Sequence, residues 1–427
     1  MSVVVGRALY GGGFASEDGR VLPFVLPGER VEGEAAGLVT ILERSAERVA
    51  PGCVHFGVCG GCQYQHAAYA GQLGWKAGIL GELFAGAGLG SLPEAAVHAG
   101  DPWGYRNRIR LRVRVWEEEV HVGYSRRGTH AFLPVRMCPI AAPVLWRAAE
   151  ALIRLGREDA LCGRFLATAT EVELFATGDE GRLQMQLFLG SVPPEKGREF
   201  GAFCERLREE IPELAGVGAM LDPELGRRVR KEWGGASWGA EGLNYAAAGR
   251  SYWVSRGAFF QVNRFLLETL VRLVTEGRAG ELAWDLYAGV GLFSRPLSER
   301  FGRVIAVEGG EAAARDLTIA GKTAGFEAVR SGILEFLRAG VLQRERPEMI
   351  VLDPPRAGLG VEGCGLLSRI GAAEVVYVSC DPTTLARDLS VLREGGYDVE
   401  KLDLVDLFPQ TFHMETVVRL RHSVRSS

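Results

Sequence analysis

Lysine is nearly missing from this chain: Lys76, Lys196, Lys231, Lys322 and Lys401 are the only five among its 49 basic residues. Arginine supplies the rest, alongside 57 glycines, so arginine abundance reflects a compositional bias and is weak evidence for phosphate binding. Net positive charge is missing too. At -4, a globally basic nucleic-acid coat is excluded, and any such surface must be a local patch. No uninterrupted apolar run approaches the roughly 18–20 residues of a membrane span. No basic stretch followed by an apolar core opens the chain, so no signal peptide is expected. Eight cysteines in 427 residues are too sparse for a disulfide scaffold. What is present is ordinary for a globular protein: 47% hydrophobic and 24% charged residues, with a mean hydropathy of +0.05. The length predicts two to four domains at roughly 100–200 residues each.

Three regions follow from the pattern. Residues 1–47 hold short strands (Val3–Val5, Val21–Leu26, Arg30–Glu34) broken by glycine turns, a small β-barrel-like pattern. Residues 48–240 begin with clustered cysteines and a helical stretch over 67–91. They continue as a strand-rich α+β region with helices near 142–156 and 196–211. The helical part, about 66–97, is expected to pack on the last domain. Residues 241–427 alternate helices (263–277, 311–324, 333–342, 362–370, 383–395) with apolar strands at Leu282–Trp284, Val304–Val307, Met349–Leu352 and Val375–Val378. That alternation predicts an α/β, Rossmann-like parallel sheet.

Each of those four strands runs directly into polar or glycine residues: Asp285-Leu286-Tyr287-Ala288-Gly289-Val290-Gly291, Glu308, Asp353-Pro354-Pro355-Arg356 and Ser379-Cys380-Asp381-Pro382. In an open α/β sheet ligands sit outside the carboxyl ends of the strands, so all four clusters should face one crevice. Gly289 and Gly291 permit close backbone approach, and Glu308, 17 residues beyond Gly291, ends the next strand where an acid can bind ribose hydroxyls. Arg295 stands where a dinucleotide fingerprint has its third glycine, which disfavours a dehydrogenase and fits an S-adenosylmethionine pocket better. Cys380 precedes a helix, where a thiol pKa is lowered and the thiolate favoured.

Two further patterns stand outside that crevice. Cys53, Cys59 and Cys62, with the distant Cys138 before a proline, could supply four thiolates to structural zinc or to an iron–sulfur cluster. Arg108, Arg110, Arg112 and Arg114 alternate with apolar residues, so a strand would place all four on one face. Between 103 and 140 there are eight arginines and three acids, interleaved with Trp103, Tyr105, Trp116 and Tyr124, which suits phosphate and unpaired bases.

The ordered set Phe259-Phe260-Gln261-Val262-Asn263, Asp285 to Phe293, Asp353 to Arg356, Val378 to Asp388 and Phe408 to Val417 resembles the S-adenosylmethionine-dependent RNA uracil-5-methyltransferases over nearly the whole chain. The resemblance implies Cys380 as nucleophile and Glu415 as the base that removes the C5 proton. It implies Gln261, Tyr287, Gly289, Gly291, Glu308 and Asp353 around S-adenosylmethionine. It implies a [4Fe-4S] cluster on Cys53, Cys59, Cys62 and Cys138, and a TRAM-like barrel over residues 1–47. The substrate it implies is RNA, ribosomal ahead of transfer, met by a monomer in the cytoplasm with no membrane partner. The competing class is a non-catalytic iron–sulfur RNA-binding protein. One departure is local: where the family has an acid or amide facing adenine, this chain has Ser331-Gly332-Ile333.

Overall fold

Short β-branched runs, each closed by a polar turn and followed by an amphipathic helix, can bury both faces only as a parallel sheet between helices. The computed structural model, which describes residues 2–33, 39–90, 92–117, 119–192, 198–222 and 234–423, has that arrangement. Glu34 and residues 196–197 of the expected helix lie outside the described residues. The chain divides into two compact units: Met1–Pro51, Cys62–Gly100 and Leu266–Ser427 form one, Gly52–Gly61 and Asp101–Phe265 the other.

The first unit is built on an eight-stranded sheet, in the order Glu327–Arg330, Phe301–Glu308, Gly280–Leu286, Met349–Leu352, Glu374–Ser379, Glu415–His422, Tyr397–Val405, Ala96–His98. The first five run parallel, and Glu415–His422 is antiparallel to both its neighbours. Strand order reverses beside Gly280–Leu286, so the crevice opens at its carboxyl end. The expected strands at Met349–Leu352 and Val375–Val378 and the helices at Glu311–Ala324 and Pro382–Glu394 are present. Residues 2–43 add a five-stranded antiparallel sheet, in keeping with the barrel-like expectation. Strands of three to seven residues cannot bury a core by themselves. Val5, Phe14, Leu22 and Val31 instead join one hydrophobic core with Leu80, Trp284, Leu352 and Val418.

The second unit is a seven-stranded sheet covered by helices Pro143–Glu158, Ala160–Thr168 and Arg198–Glu210. The Ala160–Thr168 helix is absent from the sequence reading; Asp159 starts it by accepting from Leu161 N and Cys162 N. Among the described residues no helix is long and apolar enough to cross a membrane.

Candidate active site

The antiparallel strand decides where the chemistry sits. Parallel strands bring their carboxyl ends to one edge, so a reversed strand brings its start there instead. Ser379 pairs with Thr416, which places Cys380, just past one strand, beside Glu415, the first residue of the other. Asp353 follows the neighbouring strand, and its charge acts on both groups. Cys380 and Glu415, expected to do the chemistry, and Asp353, expected beside the cofactor, are thus brought together.

Their electrostatics correct one expectation. Burial, reinforced by Glu415 and Asp353 and opposed by Arg356, pushes the Cys380 thiol up to about 12. These effects outweigh the helix N-terminus, where Asp381 accepts from Thr383 N at 2.9 Å and Thr384 N at 3.2 Å. Alkylation of Cys380 in the free enzyme should therefore rise about tenfold per pH unit through pH 10, whereas an ordinary thiol near 8.5 levels off. Peptide mass spectrometry after iodoacetamide pulses checks this, and a plateau by pH 9 would contradict it.

Glu415 is 2% exposed, and its Oε1 has no hydrogen-bond partner. Burial first, and Asp353 second, hold its carboxyl well above the usual range. An orphaned buried carboxyl is costly, which makes Glu415 a candidate functional group.

The glycine turn fits an S-adenosyl ligand. Tyr287, Gly289 and Gly291 all have positive φ, at 62°, 57° and 91°. A Cβ on Gly289 would meet nothing within 4 Å, leaving open room beside the backbone, whereas one on Gly291 would press on Leu317 and Phe326 at 3.2 Å. Glu308 ties this turn to the next, accepting from Gly289 N at 2.9 Å and Gly310 N at 2.5 Å. Asp285 is fully buried and its Oδ1 is unpartnered; burial raises its carboxyl to about 7, against the lowering effect of hydrogen bonds from Ser294. Ile333 is buried in the core, at the start of a helix. Gln261 belongs to the second unit; it is buried, and its carbonyl accepts from Asn107 Nδ2 at 3.0 Å.

Several residues frame the site to which the sequence reading gave no role, although Arg356, Thr384, Asp388 and Gln410 lie inside the motifs that carry the resemblance. Asp388 Oδ2 accepts from Leu359 N at 2.7 Å and from the Tyr377 hydroxyl at 2.7 Å, and Thr384 Oγ1 donates to Arg356 O at 2.9 Å. These bonds fix the Asp353–Gly360 turn against the helix that follows Cys380. Tyr10, from the N-terminal sheet, donates to Asp381 at 3.1 Å and meets Phe412 edge-on. Gln410, five residues before Glu415, is buried with φ 68°, a conformation costing about 1–3 kcal/mol for a non-glycine residue.

In the second unit, the four arginines alternate on the Arg108–Trp116 strand as expected, but they are engaged. Arg108 pairs with Glu173 and lies over Phe175; Arg110 pairs with Glu171 and lies over Phe188; Arg112 donates to Ser125 Oγ and His130 O. The neighbouring strand, in register, supplies both acids.

The cysteine expectation is not supported by the arrangement. Among the described residues, no group of three or more His, Cys, Asp or Glu side chains could hold a metal ion. Burial raises the thiols of Cys59 and Cys138, with Cys53 adding to both. Cys62 belongs to the first unit.

The comparisons with known proteins agree with this geometry. Residues 240–423 match the family model of tRNA (uracil-5-)-methyltransferases. An RNA methyltransferase of uncharacterized role from Streptomyces avermitilis is 34% identical, covering 99% of this chain and 98% of its own. The 23S rRNA (uracil(1939)-C(5))-methyltransferase of Chromohalobacter salexigens is 31% identical, over 92% of this chain and 83% of its own. The tRNA (uracil-54, C5)-methyltransferase of Pyrococcus abyssi, solved with S-adenosyl-L-homocysteine, superposes with a TM-score of 0.74 over 98% of this chain and 100% of that one, at 22% identity.

Proposed function

Because this chain belongs to the RNA uracil-5-methyltransferase family, an S-adenosylmethionine-dependent group, we propose that it methylates C5 of one uridine in ribosomal RNA through a covalent adduct. The observation that carries this reading is the placement of Cys380 beside an orphaned, buried Glu415 at the carboxyl edge of the parallel strands.

C5 of uracil is a weak nucleophile. Cys380 loses its proton to solvent, its sulfur bonds to C6 as the C5–C6 π pair shifts toward C5 and O4, and C5 of the resulting enolate can attack. When bound, the S-adenosyl donor would supply an electrophilic methyl on a positively charged sulfur, a charge that favours the ionised form of a nearby thiol or carboxyl. Glu415, ionised, then takes the C5 proton, the C5–H electron pair restores the C5–C6 double bond, and the C6–sulfur bond breaks to free Cys380 as thiolate. Glu308 fits the ribose hydroxyls and Asp353 the space between donor and base. Gln261 and Tyr287 complete the donor's surroundings on the strength of the resemblance.

Ribosomal RNA is favoured because relatives at 30–32% identity over most of their length are named for 23S rRNA. Nucleoside analysis of ribosomal and transfer RNA from a deletion strain should show one 5-methyluridine lost from 23S rRNA. Loss from transfer RNA alone would move the assignment to that substrate. The [4Fe-4S] cluster rests on the cysteine pattern and the resemblance alone. Anaerobically purified protein should be brown and lose its colour on Cys62→Ser; a colourless protein would remove the cluster.

A further inference from the structure

Glu415 is reached through a loop, and the loop is held by a helix more than 300 residues earlier in the chain. Residues 406–414 join the last two strands and lead directly into Glu415. Three side chains of the Tyr69–Gly86 helix grip that loop. Lys76 Nζ donates to Asp406 Oδ1 at 2.5 Å and to Phe408 O at 3.0 Å, with both side chains of the ion pair fully buried. The Tyr69 hydroxyl donates to Asp406 Oδ2 at 2.8 Å. Gln72 makes a two-way amide pair: its Oε1 accepts from Gln410 N and its Nε2 donates to Gln410 Oε1, each at 3.1 Å. The same Nε2 donates to Ala67 O at 3.0 Å, so the amide cannot rotate away. Gln410 O accepts from Gln63 N and Tyr64 N, both at 3.0 Å.

This is more apparatus than a connecting loop needs. Gln410 carries the left-handed φ, so the direction of the next five residues depends on keeping it there. Gln72 bonds both its backbone and its side chain. Cys380, by contrast, hangs from a different strand and is framed by Asp381, Thr384 and Asp388, none of them bonded to Gln72. Gln72 thus braces the loop that leads into Glu415 and makes no bond to the residues that frame Cys380.

We propose that Gln72 is a positioning residue for proton removal and adduct release, acting through Gln410 on Glu415 and not on Cys380. This rests on the roles given above to Cys380 and Glu415. The step affected is balanced within the enzyme: Glu415 gains the C5 proton, the C5–H pair becomes the ring double bond, and Cys380 leaves C6 with its electron pair. A misaimed Glu415 slows that step and leaves sulfur addition and methyl transfer intact.

The test compares Gln72→Leu, close in volume and lacking the amide, with Gln410→Gly, which tolerates the left-handed backbone and deletes only the side-chain half of the pair. Turnover on labelled target RNA should fall on the order of tenfold to a hundredfold in Gln72→Leu. KM for RNA should be unchanged, and first-turnover methyl transfer should stay near wild type. A protein–RNA band should accumulate on denaturing gels with methyl already incorporated, and Gln410→Gly should show the same defect more weakly. Turnover and band at wild-type levels in both variants would overturn the proposal, as would equal losses of methyl transfer and release. Glu415→Gln and Cys380→Ala are run beside them. If Glu415→Gln traps no adduct, the underlying assignment fails; if it does and Gln72→Leu does not, only the present inference fails.

Discussion

Cys380→Ala should abolish methyl transfer and form no protein–RNA adduct, whereas Glu415→Gln should transfer one methyl and stay attached. Without the thiol no enolate forms, and C5 has no electron pair to offer. Without the carboxylate the C5 proton remains, and the C6–sulfur bond cannot break by elimination. Loss of a general base costs on the order of 10²–10⁴-fold in turnover. Packing damage should be small, because Gln fills the same space and Glu415 Oε1 has no hydrogen bond to lose. A denaturing gel with labelled RNA and S-adenosylmethionine decides it. An equal slow-migrating band from Cys380→Ala would show that another group attacks C6. No band from Glu415→Gln, in protein that still binds RNA, would remove Glu415 as the base.

Lys76→Met should unfold the first unit more readily than any surface substitution. Burial lowers the Lys76 ammonium pKa even though Asp406 opposes the shift. Desolvation thus outweighs the attraction, so the ion pair is a device for placing the loop more than a source of net stability. Breaking it from one side is another matter, because Asp406 remains buried with its charge. That costs about 3–5 kcal/mol. Adding Asp406→Asn, which keeps an acceptor for the Tyr69 hydroxyl and removes the charge, should recover a large part of the loss. Urea unfolding of the single and double variants gives the comparison. A single variant within about 0.5 kcal/mol of wild type, the range of ordinary surface changes, would contradict the argument.

The parallel sheet was legible because its strands are short apolar runs with polar ends, and a period-two or helical pattern survives without knowing its neighbours. Cys380 and Glu415 were legible as motif residues. Their meeting was not, since it depends on one strand running backwards between Glu374–Ser379 and Tyr397–Val405. The Cys380 thiol was misjudged because burial, Glu415 and Asp353 outweigh the helix N-terminus, and none of these is visible in the local sequence. The Arg108–Arg114 face was read correctly as a face, but Glu171 and Glu173 oppose it from a strand some 60 residues away, and register cannot be read from one strand alone. Gln72 and Lys76 carried no sign of a role, and Gln410 stood in a quoted motif without one. Gln and Lys in a helix ordinarily face water, and only the fold shows that both are buried here.

The separation between Lys76 and Asp406 has a consequence for how the protein is made. The helix that aims the base is synthesised early, and its partner 330 residues later. At roughly 5–20 residues per second, the ribosome needs on the order of 15–65 s to bridge that interval. Throughout it, Lys76 and Gln72 have no loop to grip, and Ala96–His98 has no strand to join. The nascent chain can complete its second unit in that time, because residues 101–265 are contiguous. It cannot complete the catalytic one until the last strand emerges. Premature termination before Glu415 therefore yields a polypeptide that lacks both the base and the strand it opens, with the apolar faces of Glu374–Ser379 and Tyr397–Val405 left unpaired where they have been made.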